Sequence, residues 1–130
     1  MLKKKLGINA IERDWNVIFK SYHYFKIPST LIIPEGCKKI GNYSFCDCWW
    51  LKKVMILKSC KDIGYYAFSG CVKLKKVVIP ESVDWIWDSA FKSCWRAAII
   101  LKKRESKFNV ISQDAFSDCR CRYVKEETGN

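Results

Sequence analysis

One phrase recurs along this chain and restricts the folds open to it. Ile40-Gly41-Asn42-Tyr43-Ser44-Phe45-Cys46-Asp47-Cys48 is followed by Ile63-Gly64-Tyr65-Tyr66-Ala67-Phe68-Ser69-Gly70-Cys71, then by Ile86-Trp87-Asp88-Ser89-Ala90-Phe91-Lys92-Ser93-Cys94. A fourth copy runs from Ile111 to Cys119. Phe45, Phe68 and Phe91 stand 23 residues apart, and Phe116 follows after 25. A unit of that length cannot bury its own apolar face, so it must stack on its neighbours as a solenoid. Before each phrase stands a short apolar run in the same register: Leu31-Ile32-Ile33-Pro34, Val54-Met55-Ile56-Leu57 and Val77-Val78-Ile79-Pro80. Alternating β-branched residues closed by proline read as a very short strand. Stacked coil on coil, such strands make a parallel ribbon, with the repeated Ile, Phe and Cys positions forming ladders through the core. Ser44, Ala67, Ala90 and Ala115 supply a further ladder of small residues where the chain turns closely.

The predicted fold is a repeat β-solenoid: a right-handed stack of about four 23-residue coils over residues 28–121, with short parallel strands. Residues 1–27 read as a degenerate N-terminal capping coil, since stepping back 23 from Ile40, Ser44, Phe45 and Cys48 reaches Val17, Ser21, Tyr22 and Phe25. Trp15, Phe19 and Tyr24 add covering bulk, and a short amphipathic helix over Ala10–Phe19 is the alternative. Residues 122–130 read as a polar C-terminal tail. The last coil is therefore left without a finished cap. Two extra residues fall between Ile100 and Lys107, where a charged run implies a surface loop.

The stretch from Leu74 to Cys94 carries Leu74, Val77, Ile79-Pro80, Val83, Ile86, Ala90-Phe91 and Cys94 at fixed offsets. That pattern resembles the BspA-like (treponemal-type) leucine-rich repeat, and the resemblance covers about residues 28–121. It implies a leucine-rich-repeat-like stack used for protein binding, adhesion or surface display, with no shared catalytic site. Similar repeats occur in proteins of protists and of large DNA viruses. Trp87 and Ser112 depart from the pattern by standing where Gly41 and Gly64 stand, so the turn there need not require a positive φ.

Eight cysteines invite a disulfide or zinc reading, but the period argues for core. Cys48, Cys71, Cys94 and Cys119 share one ladder, while Cys37 and Cys60 align with Val83 and Phe108. A free cysteine packs as a small hydrophobe. The pairs Cys46/Cys48 and Cys119/Cys121 lie three coils apart, about 15 Å at a strand spacing of ~4.8 Å, too far to share one metal. Strand alternation turns Cys46 and Cys121 outward, making them the candidate exposed thiols. No metal, cofactor or catalytic residues are expected. His23 is the single histidine, Asp84 and Asp88 lack a helix that would bring them together, and no phosphate loop or nucleophile elbow is present.

Charge supplies the candidate partner site. Lys and Arg number 24 against 13 acidic residues, a net charge of +11. Lys52 and Lys75 are one repeat apart, as are Lys53 and Lys76, with Lys73 beside them and Lys102, Lys103 and Arg104 beyond. In a solenoid this makes a basic stripe that suits an acidic protein, a membrane surface or nucleic acid. Trp50, aligned with Lys73 and Arg96, is a candidate contact, and Tyr123 and Val124 are candidates at the open C-terminal coil. The expected role is a non-enzymatic interaction or structural protein that binds another protein, in its most concrete form a minor virion- or capsid-associated component of a large DNA virus. The runner-up is an accessory protein holding nucleic acid or another polyanion on the basic stripe. No apolar run reaches the length of a membrane span. Met1-Leu2-Lys3-Lys4-Lys5 leads to Glu12, Arg13 and Asp14 rather than to an apolar secretory segment. A cytoplasmic location, or incorporation into a virion, is the corresponding expectation.

Overall fold

Short strands that recur at one period find their best partners in their own copies. The computed structural model describes residues 17–18, 29–103, 105–119 and 121–124, with side chains described over 29–103 and 105–119. In chain order the strands are β1 (Val17–Ile18), β2 (Thr30–Ile33), β3 (Lys39–Ile40), β4 (Lys53–Ile56) and β5 (Asp62–Ile63), then β6 (Lys76–Ile79), β7 (Trp85–Ile86), β8 (Ala98–Leu101), β9 (Val110–Ile111) and β10 (Cys121–Val124). They form two ribbons rather than the single one expected. Four-residue strands pair in the order β10-β8-β6-β4-β2, and two-residue strands in the order β1-β3-β5-β7-β9. Every pairing is parallel. The second ribbon carries the repeated isoleucines, Ile40, Ile63 and Ile86 fully buried and Ile111 partly so.

Strand ends follow from who can donate. Pro34 and Pro80 stop β2 and β6 because proline has no amide hydrogen. Leu57, the residue standing in their place, instead donates its amide to the Ile33 carbonyl at 3.3 Å. Register departs from a uniform 23 in three places. β1 pairs Ile18 with Ile40, so Ile18 rather than Val17 takes the ladder position. That strand also replaces the helical alternative at those two residues; the rest of residues 1–27 lies outside the described residues. β8 pairs Lys76 with Ala98 and β9 pairs Trp85 with Val110, offsets of 22 and 25. The surplus sits in the expected loop, partly as a single 3-10 turn over Glu105–Lys107. At the other end β10 continues the four-residue ribbon past residue 121, so residues 122–124 carry strand rather than tail.

The core is a set of stacked ladders. Phe45, Phe68 and Phe91 are fully buried and Phe116 nearly so. Their rings stack at centroid distances of 5.3, 5.1 and 5.6 Å, with interplanar angles of 16°, 8° and 16°. The small-residue ladder permits this closeness: Phe45, Phe68 and Phe91 donate their amides to the carbonyls of Ala67, Ala90 and Ala115 in the next coil at 2.8, 2.7 and 2.8 Å. Each fully buried ring or aliphatic side chain contributes about 1.5–3 kcal/mol. Cys71 and Cys94 complete the bonding by donating their thiols to the carbonyls of Phe45 and Phe68, one coil back, at 3.4 and 3.2 Å.

Within the repeated phrase, left-handed backbone falls at two other turn positions, not at Gly41 and Gly64. Tyr43, Tyr66 and Ser89 hold φ near 63°, 57° and 58°, and Asp47, Gly70, Ser93 and Asp118 hold 62°, 78°, 61° and 61°. Trp87 and Ser112 are thus tolerated where the first coils have glycine. Gly64 answers to space instead. A Cβ there would lie 2.5 Å from the Asn42 Oδ1, which accepts the Tyr65 amide at 2.9 Å.

Candidate binding face

Alternation along the four-residue strands divides their side chains between core and surface. Leu31, Ile33, Val54, Ile56, Val77 and Ile79 point inward and are buried. Facing outward are Thr30 and Ile32, Lys53 and Met55, Lys76 and Val78. Parallel register aligns Ile32 with Met55 and Met55 with Val78, and likewise Thr30 with Lys53 and Lys53 with Lys76. Ile100 extends the apolar row, and Tyr123 sits in register with it. Met55 is 42% exposed, unusual for so apolar a side chain in a folded domain.

Lys52 and Lys75 enter the ribbon one residue before Lys53 and Lys76. The Lys75 amide donates to the Lys52 carbonyl at 3.0 Å, which keeps the two lysines on adjacent rungs. Together these four lysines and the Met55–Val78 row line a groove of about 530 Å³. All four lysines are exposed, and none of them forms an ion pair among the described residues. Four unneutralised cations beside an apolar strip favour a partner that is itself acidic and partly apolar.

The other residues singled out from sequence fall elsewhere. Lys102 and Lys103 follow the far end of β8 and do not continue the stripe, whose next rung is Ala98. Lys103 is bound inside the protein: its Nζ lies 2.9 Å from an Asp84 carboxylate oxygen and 4.6 Å from the centre of the Phe108 ring. Arg104, and the side chains of Cys121, Tyr123 and Val124, lie outside the described residues. Trp50 is half-buried and packs against the core, whereas Trp49 and Trp95 are the exposed indoles among the described residues, each 56% accessible. Lys73 is exposed and holds its Nζ 5.1 Å from the Trp49 ring centre. The apolar row of Ile32, Met55 and Val78 was readable as strand residues, but which of them faced outward depended on the true register.

The thiols divide by rung. Cys37, Cys48, Cys60, Cys71 and Cys94 are buried, while Cys46 and Cys119 are half-buried. Cys46 is thus less open than strand alternation suggested, since it lies in a turn rather than a strand. Cys119 is more open than its ladder mates. Burial pushes the Cys60 thiol up to about 12 from an ordinary value of 9.0. Burial likewise raises Cys71, and Cys94 is raised first by its hydrogen bond with Cys119 and then by burial. Such thiols are poor nucleophiles and poor metal ligands at neutral pH. Among the described residues no three His, Cys, Asp or Glu side chains gather as a metal site would need. No helix of the described residues is long and apolar enough to cross a membrane.

Comparison with known proteins agrees with the fold. Residues 17–128 match the family described as BspA type leucine rich repeat region, in six copies. Among solved structures, a leucine rich cell surface protein from Faecalibacterium prausnitzii A2-165 is similar over 77% of this chain, at 24% identity and a TM-score of 0.50. The chain spans 32% of that protein's length, and the likeness is one of fold alone. No curated protein sequence matches the chain.

Proposed function

Because the chain belongs to the BspA-type leucine-rich repeat family, we propose that it is a non-enzymatic interaction module that binds another protein across the outer face of its four-residue-strand ribbon. One observation carries this reading: an outward-facing apolar row, Ile32, Met55 and Val78, flanked by Lys52, Lys53, Lys75 and Lys76, none of which forms an ion pair among the described residues. Burying the row supplies affinity, and the lysines supply steering toward an acidic partner. The resemblance of the repeats to those of large DNA viruses, with a lysine-, isoleucine- and cysteine-rich composition, supports a minor virion- or capsid-associated role as the specific form. The lysine quartet alone supports the second reading, a polyanion such as nucleic acid held on the basic stripe.

Affinity capture with the intact chain separates the two. A protein partner retained after nuclease treatment, and lost from Met55→Asp and Val78→Asp variants of unchanged stability, is the expected result. Capture abolished by nuclease and indifferent to both substitutions would replace the protein reading with the polyanion one.

A further inference from the structure

A second surface lies at the corner by which each coil enters the four-residue ribbon. In three successive coils it reads Cys48-Trp49-Trp50-Leu51-Lys52-Lys53, Cys71-Val72-Lys73-Leu74-Lys75-Lys76 and Cys94-Trp95-Arg96-Ala97-Ala98-Ile99, six cations and no carboxylate. Asp47, the acid closest to the first corner, precedes it by one residue. The cysteine that opens each corner and the Leu51, Leu74 or Ala97 three residues later are fully buried. The amides of Leu51, Leu74 and Ala97 donate to the carbonyls of Cys48, Cys71 and Cys94 at 3.1, 3.1 and 3.0 Å. Two inward anchors closed by one hydrogen bond put the two residues between them at the tip of a turn, where Trp49, Lys73, Trp95 and Arg96 are exposed and Trp50 and Val72 are half-buried. Those tips are Trp49-Trp50, Val72-Lys73 and Trp95-Arg96.

Stacked, the tips make a convex ridge. Trp49 and Trp95 lie two rungs apart, about 10 Å at the ordinary strand spacing, with Val72 between them. Each indole remains 56% exposed. Trp49 is held by an edge-on contact with Trp50, at 5.5 Å and 84°, and by the Lys73 ammonium over its ring. Lys73 and Arg96 are exposed at the tips, and Lys52 and Lys75 stand exposed at their base.

We infer that this ridge docks on an anionic membrane surface. Indole rings favour the headgroup level of a bilayer, where an apolar body and a polar N–H are both accommodated. Val72 completes an apolar edge that can enter the acyl boundary beside them. Lys73 and Arg96, with Lys52 and Lys75 behind, face the lipid phosphates and carboxylates. The convex shape suits a broad yielding surface and encloses no small ligand. Single-stranded nucleic acid asks for successive stacking rings, and the middle rung here offers valine. The ridge shares Lys52 and Lys75 with the rim of the Met55–Val78 groove, but Trp49, Val72, Lys73, Trp95 and Arg96 lie outside the groove, and the test turns on them.

The experiment is sedimentation of the full chain with phosphatidylcholine–phosphatidylserine vesicles, with pure phosphatidylcholine as the neutral comparison and brominated acyl chains as a fluorescence quencher. Binding to the anionic vesicles with indole quenching is expected, and little to the neutral ones. Each basic side chain near an anionic leaflet strengthens binding about fivefold. Lys73→Gln with Arg96→Gln should therefore weaken it about thirtyfold. Trp49→Ser with Trp95→Ser should weaken it roughly tenfold or more and remove the quenching, while Met55→Ser and Val78→Ser, which alter the groove without changing its charge, leave it unchanged. Absence of binding, equal binding to neutral vesicles, or binding without quenching in the wild type would overturn the inference. The same holds if an oligonucleotide or an acidic peptide, rather than the vesicle, proves to depend on Trp49 and Trp95. If the paired tryptophan variant fails to fold, Lys73→Gln with Arg96→Gln still reads whether this ridge carries the binding: unchanged vesicle affinity in that variant overturns the inference.

Discussion

Replacing Phe68 by alanine removes a ring that is fully buried and stacked on both sides, against Phe45 at 5.3 Å and Phe91 at 5.1 Å. A buried Phe→Ala change costs about 3–5 kcal/mol through lost transfer energy and the cavity left behind. Two aromatic pairs vanish with it, each worth about 0.5–1.5 kcal/mol beyond area, so the upper end of that range applies. Relaxation is hindered because Ala67 and Ala90 on either side are pinned by backbone hydrogen bonds between coils. Phe116 is the internal control. It is 8% exposed and stacks on Phe91 at 5.6 Å with an interplanar angle of 16°, so Phe116→Ala should cost about 3 kcal/mol, the lower end. The assay is urea unfolding followed by circular dichroism, with midpoint and slope both fitted. In a solenoid each coil touches only its neighbours, so damage at a middle rung also loosens the coupling of the two halves. Phe68→Ala should accordingly lower the slope as well as the midpoint. A loss below about 1 kcal/mol at Phe68, or a larger loss at Phe116 than at Phe68, would refute the ladder argument.

Three further outcomes are expected. In the native protein a thiol reagent should reach Cys119 well before Cys37, Cys48, Cys60, Cys71 and Cys94, which should label only on unfolding; mass spectrometry showing early modification of Cys71 would contradict the buried ladder. The folded state holds Cys60, Cys71 and Cys94 protonated beyond their ordinary value, so their stabilising contribution is complete below pH 9 and is lost as pH rises above it. Stability measured by denaturant should fall above pH 9 by up to about 1.4 kcal/mol per pH unit for each such thiol, and Cys60→Ala should shallow that slope. Charge reversal at Lys52 and Lys75 should slow association with an acidic protein partner and flatten its salt dependence; a change confined to the dissociation rate, read by surface plasmon resonance, would remove the steering role assigned to them.

Much of the fold was legible because a repeat reports itself. The recurrence of Ile, Phe and Cys at one period identified the solenoid, the four-residue ribbon and most of the core, since a position that must stack on its own copy tolerates few residue types. The second ribbon escaped because a two-residue strand such as Asp62–Ile63 has no alternation to read. The lysine stripe was legible at Lys52, Lys53, Lys75 and Lys76 for the same reason of periodicity, but its supposed continuation at Lys102 and Lys103 was not. Those residues follow a strand rather than precede one, and Asp84 lies in reach of Lys103 only after the loop folds.

Periodicity therefore determined, from the chain alone, that coils stack, which residues line the stack, and why free cysteines belong inside it. Register and exposure were decided by the tertiary structure. A slip of one residue between coils turns a strand's outer face inward, and the offsets of 22, 23 and 25 were settled by how Ala98, Lys53 and Val110 found their partners. Whether a tryptophan covers the core, as Trp50 does, or stands on a ridge, as Trp49 and Trp95 do, depends on which neighbours arrive beside it. That is a property of the assembled coils, and no single repeat contains it.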